Sequence, residues 1–201
     1  MAATAERRRR PDGERSRQKI LRAAASLATI DGLDGLSIGS LADHIGMSKS
    51  GLYAHFRSKE QLQLATIETA LAILDTLVVE PAEAAATPLE RLRTLYDRFL
   101  DYIEERVFPG GCFFASAESE LGMREGRVKD RIAELQRGWV ARVEGLVQEA
   151  QAAGELPADE DPAQVAFELD AYGMMGNVGF VLHDDPEYLR HARSAIHHRL
   201  R

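Results

Sequence analysis

Between Leu36 and Leu62 the chain reads LSIGSLADHIGMSKSGLYAHFRSKEQL, a spacing of caps, apolar residues and one central glycine that fits two short helices and the start of a third. Ser37 is placed to cap the first, whose Ile38, Leu41, Ala42 and Ile45 follow one helical face. Gly46 comes directly after, where a left-handed residue ends a helix at little steric cost. Ser48 caps the second helix, and Leu52 and Phe56, four apart, point inward together. Lys49, Ser50, Tyr53 and His55 are left to face outward. Ser58 and Gln61 have the spacing of a capping-box pair for a third, longer helix. Two short helices joined by a tight glycine turn form a helix-turn-helix, which lays its second helix in the DNA major groove.

An ordinary helical hairpin shares much of this pattern, so the flanking chemistry decides between the two. From Lys49 to Lys59 there is no acid, whereas a merely solvated helix face mixes both signs. Charge is also divided along the chain. Residues 1–60 hold 11 Lys and Arg against 7 Asp and Glu, while residues 61–201 hold 14 against 25, for a net of −7 overall. A cationic end on an acidic chain suits a DNA-binding module joined to a domain with another task. It excludes general coating of nucleic acid, because phosphates would repel the larger acidic part. Residues 1–14, with the Arg7–Arg10 run bounded by Pro11 and Gly13, lack apolar periodicity and read as a disordered arm, either solvated or touching DNA.

The remaining segments carry helical signatures. Ile20, Leu21, Ala24, Leu27 and Ala28 form a stripe that closes at Asp31-Gly32. The helix from Ser58 is expected to end before Pro81. Thr87-Pro88-Leu89-Glu90 supplies cap, N1 proline and box partner for the next, whose Leu92, Tyr96, Phe99 and Ile103 step by three and four. After Phe108-Pro109-Gly110-Gly111 come a short helix from Cys112 to Leu121 and a long one from Arg127 to Gly154. Asp161-Pro162 and Asp185-Pro186 open the last two. No segment alternates as a strand would, so the fold class is all-α, about nine helices. The expected division is a helix-turn-helix domain over 15–62 and a larger helical domain over 63–201. No run of apolar residues suggests a membrane span or a secretory leader, and a lone Cys112 fits a reducing, cytoplasmic setting.

The run GMSKSGLYAHFRSKEQL, Gly46 to Leu62, resembles the signature of the tetracycline-repressor (TetR) family, and Ile20-Leu21-Arg22-Ala23-Ala24 with Gly32 resembles that family's first helix. The resemblance is specific from about Arg17 to Leu64; beyond it only the helical plan matches. It implies a homodimeric, ligand-responsive transcriptional regulator, a repressor released from a palindromic operator in double-stranded DNA by a small-molecule effector. Position by position, it implies phosphate contact for Ser37, Tyr53, His55 and Lys59, and groove entry for Lys49 and Ser50. Gly51 stands where Thr is frequent in the family, and Ala54 where a polar residue is; both departures bear on which operator sequence is read, not on DNA binding itself.

For the acidic domain the resemblance implies dimerisation and an effector pocket. Leu189, Ala192, Ile196 and Leu200 trace a narrow seam suited to pairing with another helix, and Gly173, Gly176 and Gly179 suit close backbone approach or room for a ligand. The large residues on inward stripes, Tyr96, Phe99, Phe113, Phe114, Trp139, Phe167, Tyr172 and Met175, are candidates to touch a largely apolar effector. A cationic effector would fit the acidic domain, with Glu118 a candidate polar element. Four late histidines lack metal-ligand spacing, Cys112 reads as a buried thiol, and no nucleophile–base pair is present, so neither metal, cofactor nor enzymatic activity is expected. Three competing readings are a helical carrier without DNA affinity, an enzyme using Cys112, and an activator of the same fold.

Overall fold

The structure, a computed structural model, describes the backbone of residues 2–122 and 124–201 and the side chains of residues 13–122 and 124–201. The described residues form nine helices and no strand: α1 (Ala2–Asp31), α2 (Ile38–Ile45), α3 (Lys49–His55), α4 (Lys59–Glu83), α5 (Pro88–Glu104), α6 (Phe113–Leu121), α7 (Arg127–Ala152), α8 (Pro162–His183) and α9 (Glu187–Arg199). Helix α1 takes in residues 2–14, which the sequence leaves as an arm; alanine and arginine, both good helix formers, offer little resistance there. The side chains of Arg7–Arg10 lie outside the described residues.

The expected caps form, with one addition and one reduction: Ser58 caps α4, but Gln61 does not return a side-chain bond to close the expected box. Ser37 Oγ accepts from Ser40 N at 3.0 Å while Ser40 Oγ accepts from Ser37 N at 2.9 Å, closing a capping box with serine in the usual glutamate's place. Gly46 adopts φ 67° and donates its N–H to Ala42 O. Ser58 Oγ accepts from Gln61 N at 3.1 Å. Thr87 and Glu90 close their box in both directions, each bond at 3.3 Å.

Helix α4 does not stop before Pro81. It widens into a π-helical turn over Asp75–Val79 and continues to Glu83. A proline has no N–H to give the preceding turn, and the wider turn rearranges the local bonding so that the helix passes through it. By length and composition α4 would suffice to cross a membrane. Here Leu62, Ile67, Ala70 and Val78 are fully buried against α1, α5 and α7, so it is the central post of the fold.

Helices α8 and α9 pack on each other more extensively than any other pair, and the glycines are the reason. A methyl group on Gly176 would stand 2.8 Å from Ala192 Cβ, and one on Gly179 would stand 2.1 Å from the Tyr188 ring. The close approach therefore lies within one chain. Leu189, Ala192, Ile196 and Leu200 are all buried in it, which corrects the expectation that this seam pairs with a second copy. Each large aliphatic side chain so buried contributes roughly 1.5–3 kcal/mol to folding. The face of α8 left outside is apolar instead. Phe167, Met174, Met175, Val178, Val181 and Leu182 are exposed, Phe167 and Leu182 by 69% and 72%.

Candidate functional site

Helix α3 is held from behind and bare in front. Leu52 and Phe56 are buried in the head formed by α1–α3 and the start of α4, and the Arg17 guanidinium sits 5.4 Å from the Phe56 ring centre. Ser48 caps α3 by accepting from Gly51 N at 3.1 Å, which orients the first turn. Lys49, Ser50 and Tyr53 are exposed, and His55 and Gly51 half-buried. Tyr53, 58% exposed, is a large ring with no apolar partner to cover it. Ser37 is half-buried with its hydroxyl engaged in the α2 cap. Lys49 reaches within 4.0 Å of Asp43, and Lys59 within 3.4 Å of Asp34. Both lysines are on the surface, where such pairs are worth little and exchange readily.

The loop between α1 and α2 ties this head to the rest of the molecule. The Glu120 carboxylate on α6 accepts from Leu33 N at 2.6 Å and from Asp34 N at 2.9 Å. Gln63, buried on α4, donates to Leu33 O at 2.7 Å. Arg124 pairs with Asp34 at 3.0 Å. Beside it, the turn before α6 is pinned from two sides. Gly110 N donates to Thr29 Oγ1 at 3.1 Å, and Cys112 N donates to the buried Asn177 Oδ1 at 2.9 Å. A side chain on Gly110 would begin 2.0 Å from Thr29 O, so α1 approaches to a distance only glycine permits. Sequence reasoning missed Glu120, Gln63 and Asn177. The paired glycines beside Pro109 were the available signal of a close crossing.

Among α4, α5, α6, α7 and α8 lies a cavity of about 900 Å³. Tyr96, Phe99, Phe114, Trp139 and Phe167 line it, five of the eight candidates. Trp139 meets Tyr96 edge-on at 6.4 Å and Phe99 at 6.0 Å. The other three are elsewhere, a correction to the expected set. Phe113 is buried between Phe108 and Phe114, Tyr172 packs half-buried on the core, and Met175 belongs to the exposed face of α8. An inward stripe is wider than a cavity, so periodicity alone does not separate wall from core.

Of the cavity's charged residues, four are acidic and two basic. Asp170 accepts from Tyr96 Oη at 2.5 Å and from Trp139 Nε1 at 2.9 Å. Burial nevertheless raises its pKa above the ordinary carboxylate value. Burial, with the nearby Asp170 charge adding, pushes Glu118 up to about 7. Burial also raises Asp75, against the pull of Arg142. Cys112 touches the cavity too, and burial pushes its thiol up to about 11, which leaves it unreactive. Asp170 escaped the sequence reading, although an acid three residues after Phe167 and three before Gly173 marked a polar point on a packed face.

Comparison with known proteins matches both regions. Residues 20–66 match the bacterial regulatory proteins of the tetR family, and residues 88–196 match the tetracyclin repressor-like C-terminal domain. The chain is 27% identical to the transcriptional regulator AcuR of Cereibacter sphaeroides, over 78% of its own length and 72% of the relative's. It is 29% identical to the transcriptional repressor KstR2 of Mycolicibacterium smegmatis, covering 72% of this chain and 69% of that one. It is 32% identical to the transcriptional activator FasR of the same organism, covering 52% and 53%. A TetR transcriptional regulator from Chloroflexus aurantiacus shares the fold with a TM-score of 0.84 at 24% identity, covering 92% of this chain and 94% of that one. AibR in complex with isovaleryl coenzyme A and operator DNA shares it with a TM-score of 0.73 at 22% identity, covering 92% and 98%. The acid-free face of α3, the cavity among α4–α8 and the match of both regions lead to one conclusion: the chain belongs to the tetR family of bacterial regulatory proteins and is a ligand-responsive, DNA-binding regulator of transcription.

Proposed function

We propose that the protein is a homodimeric repressor in which Lys49, Ser50, Gly51 and Tyr53 of α3 enter the major groove, while Ser37, His55 and Lys59 hold the flanking phosphates. The observation that carries this reading is the outward face of α3, which presents a cation, hydroxyls and a bare tyrosine with no acid among them. Lys49 and Ser50 on the first turn suit base edges, and Tyr53 and His55 suit phosphate oxygens. Two such heads on a palindrome sit one helical turn, about 34–36 Å, apart. An effector in the cavity touches α4 and α6, the helices that also hold the α1–α2 loop through Gln63 and Glu120. A ligand that fits only one arrangement of those helices shifts the dimer away from the operator spacing. AibR, which holds a ligand and operator DNA in one complex, supports assigning both tasks to one chain. Operator binding places the protein in the cytoplasm, with the chromosome.

Fluorescence anisotropy with the DNA upstream of its own gene tests the assignment. Lys49→Ala and Tyr53→Ala should each weaken specific binding at least tenfold, and Lys49→Ala should reduce the slope of log affinity against log salt by about one contact. Equal binding by variants and parent removes α3 from the interface. Transcription in vitro separates repression from activation, since added protein lowers transcript in the first case and raises it in the second.

A further inference from the structure

We propose that the effector is a bulky organic cation, an amine or onium ion with aromatic or branched apolar substituents, seated between the aromatic walls of the cavity and its Glu118 and Asp170 carboxylates. The proposal rests on the effector reading above and adds a chemical class to it. Three features of the cavity converge. Its size, about 900 Å³, suits a drug-sized molecule. Its walls supply Trp139, Phe99, Phe114 and Tyr96, whose ring faces attract cations, a contact worth more when water is excluded. Its acids outnumber its cations, with Asp75, Glu118, Glu134 and Asp170 against Arg131 and Arg142.

The two arginines are already engaged. Arg131 donates to Glu68 at 2.7 Å and to Glu134 at 2.9 Å, and Arg142 donates to Glu83 at 2.7 Å. An anionic ligand would have to compete with these carboxylates for the arginines and then face Asp170 and Glu118. A cation breaks nothing. Asp170 is oriented by the Tyr96 hydroxyl and the Trp139 N–H, two residues that also line the cavity, so carboxylate and aromatic rings are neighbours in its wall. Glu118, on α6, has no ion pair with a cation among the described residues; burial and the nearby Asp170 raise its pKa to about 7, and a cation seated beside it would favour its ionised form.

Acidity gives the pH dependence its sign. Glu118 is largely protonated below pH 7 and ionised above it, so cation affinity should rise as pH increases from about 6 to 8. The other groups facing the cavity are Asp75 on α4, Tyr96 on α5, Cys112 at the start of α6, Arg131, Glu134 and Arg142 on α7, and Asp170 on α8. Tyr96 and Cys112, both raised by burial, keep their protons over this range, and the arginines keep their charge.

The test uses two ions of nearly equal shape and opposite charge, tetraphenylphosphonium and tetraphenylborate, with an acyl-coenzyme A as a large anionic thioester. Titration into the full-length protein is followed by quenching of Trp139, the single tryptophan, and by calorimetry. The phosphonium should bind at least tenfold tighter than the borate. Glu118→Gln should weaken the phosphonium at least fivefold, flatten its pH profile, and leave the borate equal or tighter. Asp170→Asn, which keeps an oxygen for Tyr96 and Trp139, is a second variant should Glu118→Gln not fold. Borate or thioester binding as tight as the phosphonium, no binding by the phosphonium, or indifference of its affinity to both substitutions would overturn the assignment. Operator release is measured separately by anisotropy. Release by the thioester without cation binding rejects the cation and keeps the effector reading, whereas cation binding without release rejects the effector reading and keeps the site.

Discussion

At the scale of single residues, the chain's unusual choices mark places where backbones or charges are forced together. Gly110 is the clearest. Its position against Thr29 O leaves no space for a methyl group, and backbone on both sides cannot rotate away. Gly110→Ala should cost on the order of 3 kcal/mol in urea unfolding, at the upper end of what overpacking costs. A loss below about 0.5 kcal/mol would mean that the α1 crossing relaxes freely. Glu118 is the electrostatic counterpart, a carboxylate whose folded pKa near 7 lies above its value of 4.5 in an open chain. Between those values the folded state holds a proton that the unfolded chain has lost, so this group makes stability fall as pH rises. Glu118→Gln should therefore raise the melting temperature relative to the parent at pH 8 and have little effect at pH 4, with the difference opening from about pH 5 to 7. Equal pH profiles would place Glu118 in solvent.

At the scale of elements, α6 joins the two halves. One side, through Phe114, Ala115 and Glu118, forms cavity wall, and Glu120 grips the loop ahead of α2. Hydrogen bonds from two backbone amides to a carboxylate are among the stronger kind, about 1.5–3 kcal/mol each when lost. Glu120→Ala should lower stability by about 3 kcal/mol, the low end for two such bonds, and speed hydrogen exchange at the Leu33 and Asp34 amides at least tenfold. Unchanged exchange there would show that Gln63 alone holds the loop. The serine caps and the Thr87–Glu90 box were legible because each is a local exchange of bonds within four residues. The passage of α4 through Pro81 was not, since the π turn depends on what packs around it.

At the scale of the whole molecule, the exposed apolar face of α8 is the surface on which a second copy is expected to sit. Its six apolar residues lie side by side, and α9 packs along the opposite side of the same helix. Contiguous apolar surface of this kind is covered in solution, and a second copy's α8 is the occupant the homodimer requires. Leu182→Glu with Met175→Glu should convert the dimer to a folded monomer in sedimentation and lower operator affinity at least a hundredfold. Leu189→Ala, inside the α8–α9 contact, should instead cost about 2–5 kcal/mol of monomer stability. A double variant that remains dimeric would move the interface elsewhere.

The sequence by itself determined the helices, their caps, the face of α3 and the family resemblance, because those depend on spacings within a few residues. Only the tertiary structure decided which aromatic residues wall a cavity, which apolar face of α8–α9 stays outside, and that Asp170, Glu118 and Glu120 meet groups far along the chain. Period and composition mark an apolar stripe on a helix. They do not tell which neighbour the stripe will meet, since that is set by the crossing of helices distant in sequence.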